Sequence, residues 1–103
     1  MSDMSEAQRI EARRARATRL EFERSTHVAE VATCDEAIEI LQRHIKVIDT
    51  SKSAAELRGD NIMLKAMKQH EMELQDLINR TRIKREKAYI GVAAISELLS
   101  EAC

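Results

Sequence analysis

The sequence predicts an all-α protein, and three observations carry the prediction. The 103 residues contain no Pro, only two Gly and almost no aromatics (one Phe, one Tyr, no Trp). Apolar residues recur at alternating spacings of three and four over long stretches, the mark of a helical seam. No run of strand-formers bounded by turn residues is present, as a sandwich or barrel would require. A doubly wound α/β domain would need glycines at its strand-to-helix turns, which this chain cannot supply. With 44% hydrophobic residues the chain is too apolar for a disordered one. Its length fits one small domain.

The first helix is expected over about residues 5–49. Ser5 and Gln8 have capping-box spacing, in which each side chain satisfies an orphan backbone N–H. The seam reads Ile10, Arg13, Ala17, Leu20, Arg24, His27, Val31, Cys34, Ile38, Leu41, Ile45, Ile48. It is poor before Val28 and rich after it. Ala37, Ile40, His44 and Val47 widen the apolar face of the second half.

A connection is expected over 50–60. It holds Thr50, Ser51, Ser53 and Gly59, and Gly59 can take a positive φ. Asp60 is placed to cap the next helix.

Helical periodicity resumes at Asn61 and runs to Ala102. Its seam reads Met63, Met67, His70, Leu74, Leu77, Thr81, Lys84, Ala88, Gly91, Ile95, Leu98, Ala102. Leu64, Ile78, Val92 and Leu99 form a second stripe, and Ile62, Ile83 and Ile90 a flank. This face is wider than one two-helix seam needs. Two architectures therefore compete. The favoured one breaks near residues 79–82 into helices of about 61–79 and 82–102, giving an elongated antiparallel three-helix bundle. The other is a two-helix hairpin that dimerises. Folding 83–102 back beside 28–48 would cover Ile90, Val92, Ile95 and Leu99, which the hairpin must set against Arg-rich residues 10–24.

Charge is nearly balanced at −1. Residues 1–27 carry six Arg against five acids, residues 28–60 four bases against seven acids, and residues 61–103 seven bases against six acids. No segment is an obvious nucleic-acid arm. No apolar run spans a bilayer, and no secretory signal is evident. Cys34 and Cys103 make no metal or disulfide pattern, which suits a reduced, cytosolic protein.

No catalytic motif is present, so an enzyme is not expected. A di-metal bundle needs Glu-x-x-His pairs, but Leu41 precedes His44 by three and Met67 precedes His70 by three. Partly buried, hydrogen-bonded His27, His44 and His70 are the plainer reading. No cofactor or metal is expected. Cys34 at a seam position reads as a core residue rather than a nucleophile. Arg9, Arg13, Arg14, Arg16 and Arg19 form either an electrostatic contact for an acidic partner or a phosphate backbone, or a solvated face laced with Glu6, Glu11, Glu21 and Glu23. No aromatic interleaves with them for base stacking. Arg80, Arg82, Lys84, Arg85 and Lys87 form a denser group, which would surround a turn if the helix breaks there. Phe22 lies opposite the seam, where an exposed aromatic suits a partner surface.

Residues 19–41 resemble the corresponding stretch of the tubulin-binding cofactor A family. The likeness rests on Arg19-Leu20, Glu23, Arg24, Glu30, Asp35-Glu36, Ile38-Glu39 and Leu41, in register without a gap. Ala88-Tyr89-Ile90 resembles the Ala-Tyr-aliphatic stretch of the family's last helix. An aromatic often stands in the family where His27 stands here. The family's Ser-rich, Pro-containing turn has only 79–82 as a counterpart, without Pro. The resemblance implies a rod-like three-helix bundle that captures β-tubulin through helix faces, without nucleotide or metal. It points to Arg16, Arg19, Phe22 and Glu23 on the first helix and to Arg80, Arg82, Arg85 and Lys87. The alternative function is a structural coiled-coil adaptor or assembly subunit acting by oligomerisation, with a homodimer as its simplest form.

Overall fold

The computed structural model describes residues 5–102 and consists of two α-helices, α1 (Glu6–Arg58) and α2 (Asn61–Ala102). Cys103 lies outside the described residues, as does the side chain of Ala102. The helices pack in two compact units. Of the described residues, one comprises 32–85 and the other 5–31 with 86–102.

α1 begins at the expected box. The Gln8 N–H donates to Ser5 Oγ at 3.2 Å, and the Ser5 N–H donates to Gln8 Oε1 at 2.9 Å. The expected connection over 50–60 is corrected: α1 runs on to Arg58, and of that stretch only Gly59 and Asp60 lie outside helix. Thr50 and Ser51 usually loosen helices by competing for backbone groups. Here their hydroxyls donate to the Lys46 and Val47 carbonyls one turn back, at 3.2 and 3.1 Å. Ala55 is fully buried, which makes 50–58 part of the packed helix.

The turn is a Schellman motif. The Asp60 N–H donates to the Ala55 carbonyl at 2.9 Å and the Gly59 N–H to the Glu56 carbonyl at 3.1 Å. It requires a left-handed residue, and Gly59 supplies it with φ of 67°. Asp60 Oδ1 then accepts from the Met63 N–H at 3.0 Å, capping α2 as expected.

The expected break at 79–82 is absent, so the three-helix bundle is not supported and the two-helix alternative fits. Nothing in that stretch stops a helix. The Thr81 hydroxyl donates to the Leu77 carbonyl at 2.8 Å, and Arg80 pairs with Asp76 one turn back at 3.1 Å.

In the unit of residues 32–85, α1 contributes Cys34, Ile38, Leu41, Ile45, Ile48, Lys52 and Ala55 as its less exposed column. α2 contributes Leu64, Met67, Glu71, Leu74, Ile78, Thr81 and Arg85. In the other unit the columns are Ala17, Leu20, Arg24, His27 and Val31 on α1, and Ala88, Val92, Ile95 and Leu99 on α2. Each keeps the alternating three-and-four spacing of a coiled coil. The α1 seam is the expected one from Ala17 onward. Residues 5–16 are all exposed, so Ile10 and Arg13 belong to no seam.

On α2 half of the expected positions move by one. Met67, Leu74, Thr81, Ala88 and Ile95 hold. Leu64, Glu71, Ile78, Arg85, Val92 and Leu99 replace Met63, His70, Leu77, Lys84, Gly91 and Leu98. Two charged residues on the true column, Glu71 and Arg85, disguised it. Of the residues a hairpin would leave uncovered, Ile95 is buried, Val92 and Leu99 are half-buried, and Ile90 alone stays exposed.

Candidate functional site

Ion pairs join α1 to α2 within residues 32–85. Lys52 Nζ donates to Glu71 Oε2 at 2.6 Å, with both side chains more than two-thirds buried. The Glu71 hydrogen bond lifts the Lys52 ammonium above the ordinary lysine range. Partial burial opposes this lift, while the charges of Glu71, Asp49 and Glu56 reinforce it. Arg85 Nε pairs with Asp35. Polar pairs on a seam are the best-attested means of fixing helix register.

In the unit holding His27, its ring lies over the backbone of α2 at Gly91. A Cβ built on Gly91 would come within 3.0 Å of His27 Cδ2. That accounts for a glycine in mid-helix, where it otherwise costs about 1 kcal/mol against Ala. His27 Nδ1 is buried without a hydrogen-bond partner and stands 4.0 Å from the Glu30 carboxylate. The expectation of three hydrogen-bonded, partly buried histidines is corrected. His44 and His70 are exposed, and His70 lies off the seam, 3.8 Å from Glu73. Among the described residues no group of three potential metal ligands occurs. Cys34 is a buried free thiol on the seam.

The predicted contact residues do not converge. Arg16, Arg19 and Glu23 are exposed at i, i+3 and i+7 on one side of α1. Phe22 is 73% exposed and points away from the seam as expected. The basic group of α2 divides by helical geometry. Arg80 and Lys87, seven apart, are exposed on one face; Arg82 and Arg85, three apart, lie on another. Arg85 is committed to Asp35 and Arg80 to Asp76.

Arg82 instead borders a groove of about 450 Å³ between the helices. Ile45 and the buried Ile78 form its floor, with Gln42, Arg43, Lys46 and Glu39 on the α1 side and Gln75 and Arg82 on the α2 side. Glu39 is engaged by Arg43 at 2.8 Å. Lys46 and Arg82 enter no salt bridge among the described residues. The groove was missed in the sequence because its residues come from opposite ends of the chain's middle and only the α2 register brings them together.

The apolar surface is the larger feature. Among the described residues seven hydrophobic ones are buried: Leu20, Cys34, Ile48, Ala55, Ile78, Ala88 and Ile95. Three of them are small. Against these, Ile40, Val47, Leu57, Ile62, Met72 and Ile83 are exposed in one unit, and Phe22, Val28, Tyr89 and Ile90 in the other. Among the described residues no helix is long and apolar enough to cross a membrane, so these side chains are not a spanning segment.

Fold and surface together define a class: a paired-helix, coiled-coil-like protein with a thin core and open apolar flanks. Comparison with known protein families, with curated proteins and with solved structures finds no match.

Proposed function

We propose that the chain is a structural coiled-coil adaptor or assembly subunit that works by packing its helices against further helices. The observation that carries this is the imbalance between a small buried core and large exposed apolar side chains. Among the described residues the buried apolar set is small, while Phe22, Val47, Leu57, Ile62 and Met72 are each more than 60% exposed. Most helical stability comes from covering an apolar face rather than from intrinsic propensity. Contiguous exposed apolar surface marks interaction sites. Light scattering on the full chain over a range of concentrations tests the reading. Self-association supports it, and a mass of one chain throughout counts against it.

A second reading is capture of β-tubulin, favoured by the exposure of Phe22 beside Arg19 and Glu23. It carries over from the cofactor-like residues of α1 without the three-helix bundle that accompanied them. Recovery of β-tubulin on the immobilised chain, weakening with salt, would support it. No recovery, where a tubulin-folding cofactor succeeds in parallel, removes it.

A further inference from the structure

We infer that the groove bordered by Lys46 and Arg82 receives the outer face of the C-terminal part of α2 from a second copy of the chain. The inference rests on the oligomerisation reading and names its surfaces. Beyond Lys87, α2 carries only two charged residues, Glu97 and Glu101, both exposed acids. With Ile90, Ala94 and Leu98 they fall at i, i+4, i+7, i+8 and i+11, a single stripe pointing away from the seam. Ile90 is 58% and Leu98 39% exposed. The stripe is therefore an apolar ridge with two acids one turn apart, and neither acid has a salt-bridge partner among the described residues.

The groove is its complement. Its Arg43 is matched by Glu39, which leaves Lys46 and Arg82 as the two unmatched charges, both positive. Their aliphatic stems, with Ile45 at the floor, present apolar surface below the charged heads. An acidic ridge meeting a basic-rimmed groove pairs opposite charges at its edge and covers Ile90 and Leu98 at its centre. Two other basic surfaces fit the stripe less well. Arg80 is already paired with Asp76, and the arginines of residues 5–16 are interleaved with Glu6 and Glu11 on a stretch where every residue is exposed. The second copy is favoured over a foreign helix because one chain supplies both halves of the match.

Sedimentation equilibrium of the full chain at low salt tests the inference with two charge reversals: Lys46→Glu with Arg82→Glu, and Glu97→Lys with Glu101→Lys. All four positions are exposed, and circular dichroism checks that helicity is kept. The wild type is expected to self-associate. Each double variant should raise the concentration needed for association by about tenfold, as lost attraction is replaced by repulsion. An equimolar mixture of the two variants should restore association, because each groove then meets a stripe of opposite sign. A wild type that associates, with variants that associate equally well or a mixture that restores nothing, overturns this interface and leaves the oligomerisation reading standing. A wild type that stays monomeric overturns both.

Discussion

Replacing Ile78 and Leu77 by Ala, one at a time, measures the register of α2 directly. The residues are adjacent and lose the same number of carbons, but the helix turns them to different surroundings. Ile78 is 1% exposed and Leu77 40%. Removing three buried carbons costs about 2.4 kcal/mol at about 0.8 kcal/mol each. At Ile78 the void left behind brings this to about 3 kcal/mol, and the better helix propensity of Ala offsets about 0.4 kcal/mol. At Leu77 only about three-fifths of the burial is lost and no void forms. The cost there is about 1.2 kcal/mol after a propensity offset of about 0.2 kcal/mol. Urea unfolding followed by circular dichroism, at one fixed protein concentration, reads both values. Ile78→Ala should be the more damaging by about 1.5 kcal/mol. Leu77→Ala costing as much or more would refute the register and restore the seam that periodicity alone suggests.

Three further outcomes are expected. Gly59→Ala should destabilise by about 1–2 kcal/mol in the same urea assay, because Ala must adopt the left-handed conformation; an unchanged midpoint would contradict the Schellman turn. Gly91→Ala should show little or no gain beside His27 but stabilise by about 1 kcal/mol in a His27→Ala background, where the helix preference for Ala is realised; equal effects in both backgrounds would remove the proposed contact. Lys52→Met should lower stability at neutral pH, and the gap from wild type should close in strongly alkaline solution. Because the folded Lys52 holds its proton above the unfolded lysine range of about 10.4, its contribution is full below that pH and disappears as pH climbs through the higher folded value. A gap that widened with pH would contradict the Glu71 hydrogen bond.

Much of α1 was legible because Leu20, Val31, Cys34, Ile38, Leu41, Ile45 and Ile48 keep apolar residues at heptad spacing. The turn was legible because Gly59 and Asp60 have few conformational alternatives there. Residues 50–58 misled because Thr50, Ser51 and Ser53 are turn-formers by propensity. Only the structure shows the first two bonding back to their own helix and Lys52 bonding across to Glu71. The α2 register was hidden for a related reason. Glu71 and Arg85 sit on the seam as ion-paired residues and interrupt its apolar column, while Met63, Leu77 and Leu98 supply apolar residues one position aside. The break at 79–82 was inferred from excess apolar surface. That surface is real, but the chain leaves it open rather than folding over it. The candidate groove followed the same logic: Arg82 was visible as one of a basic group, but its pairing in space with Lys46 depends on the corrected register.

We propose that other helices, a second copy first among them, cover the apolar surface that the thin two-helix core leaves open. The dependence of melting temperature on protein concentration tests it most directly, since stability drawn from association follows mass action. The melting temperature is expected to rise by about 5 °C over a hundredfold increase in concentration. A melting temperature that stays constant over that range would contradict it.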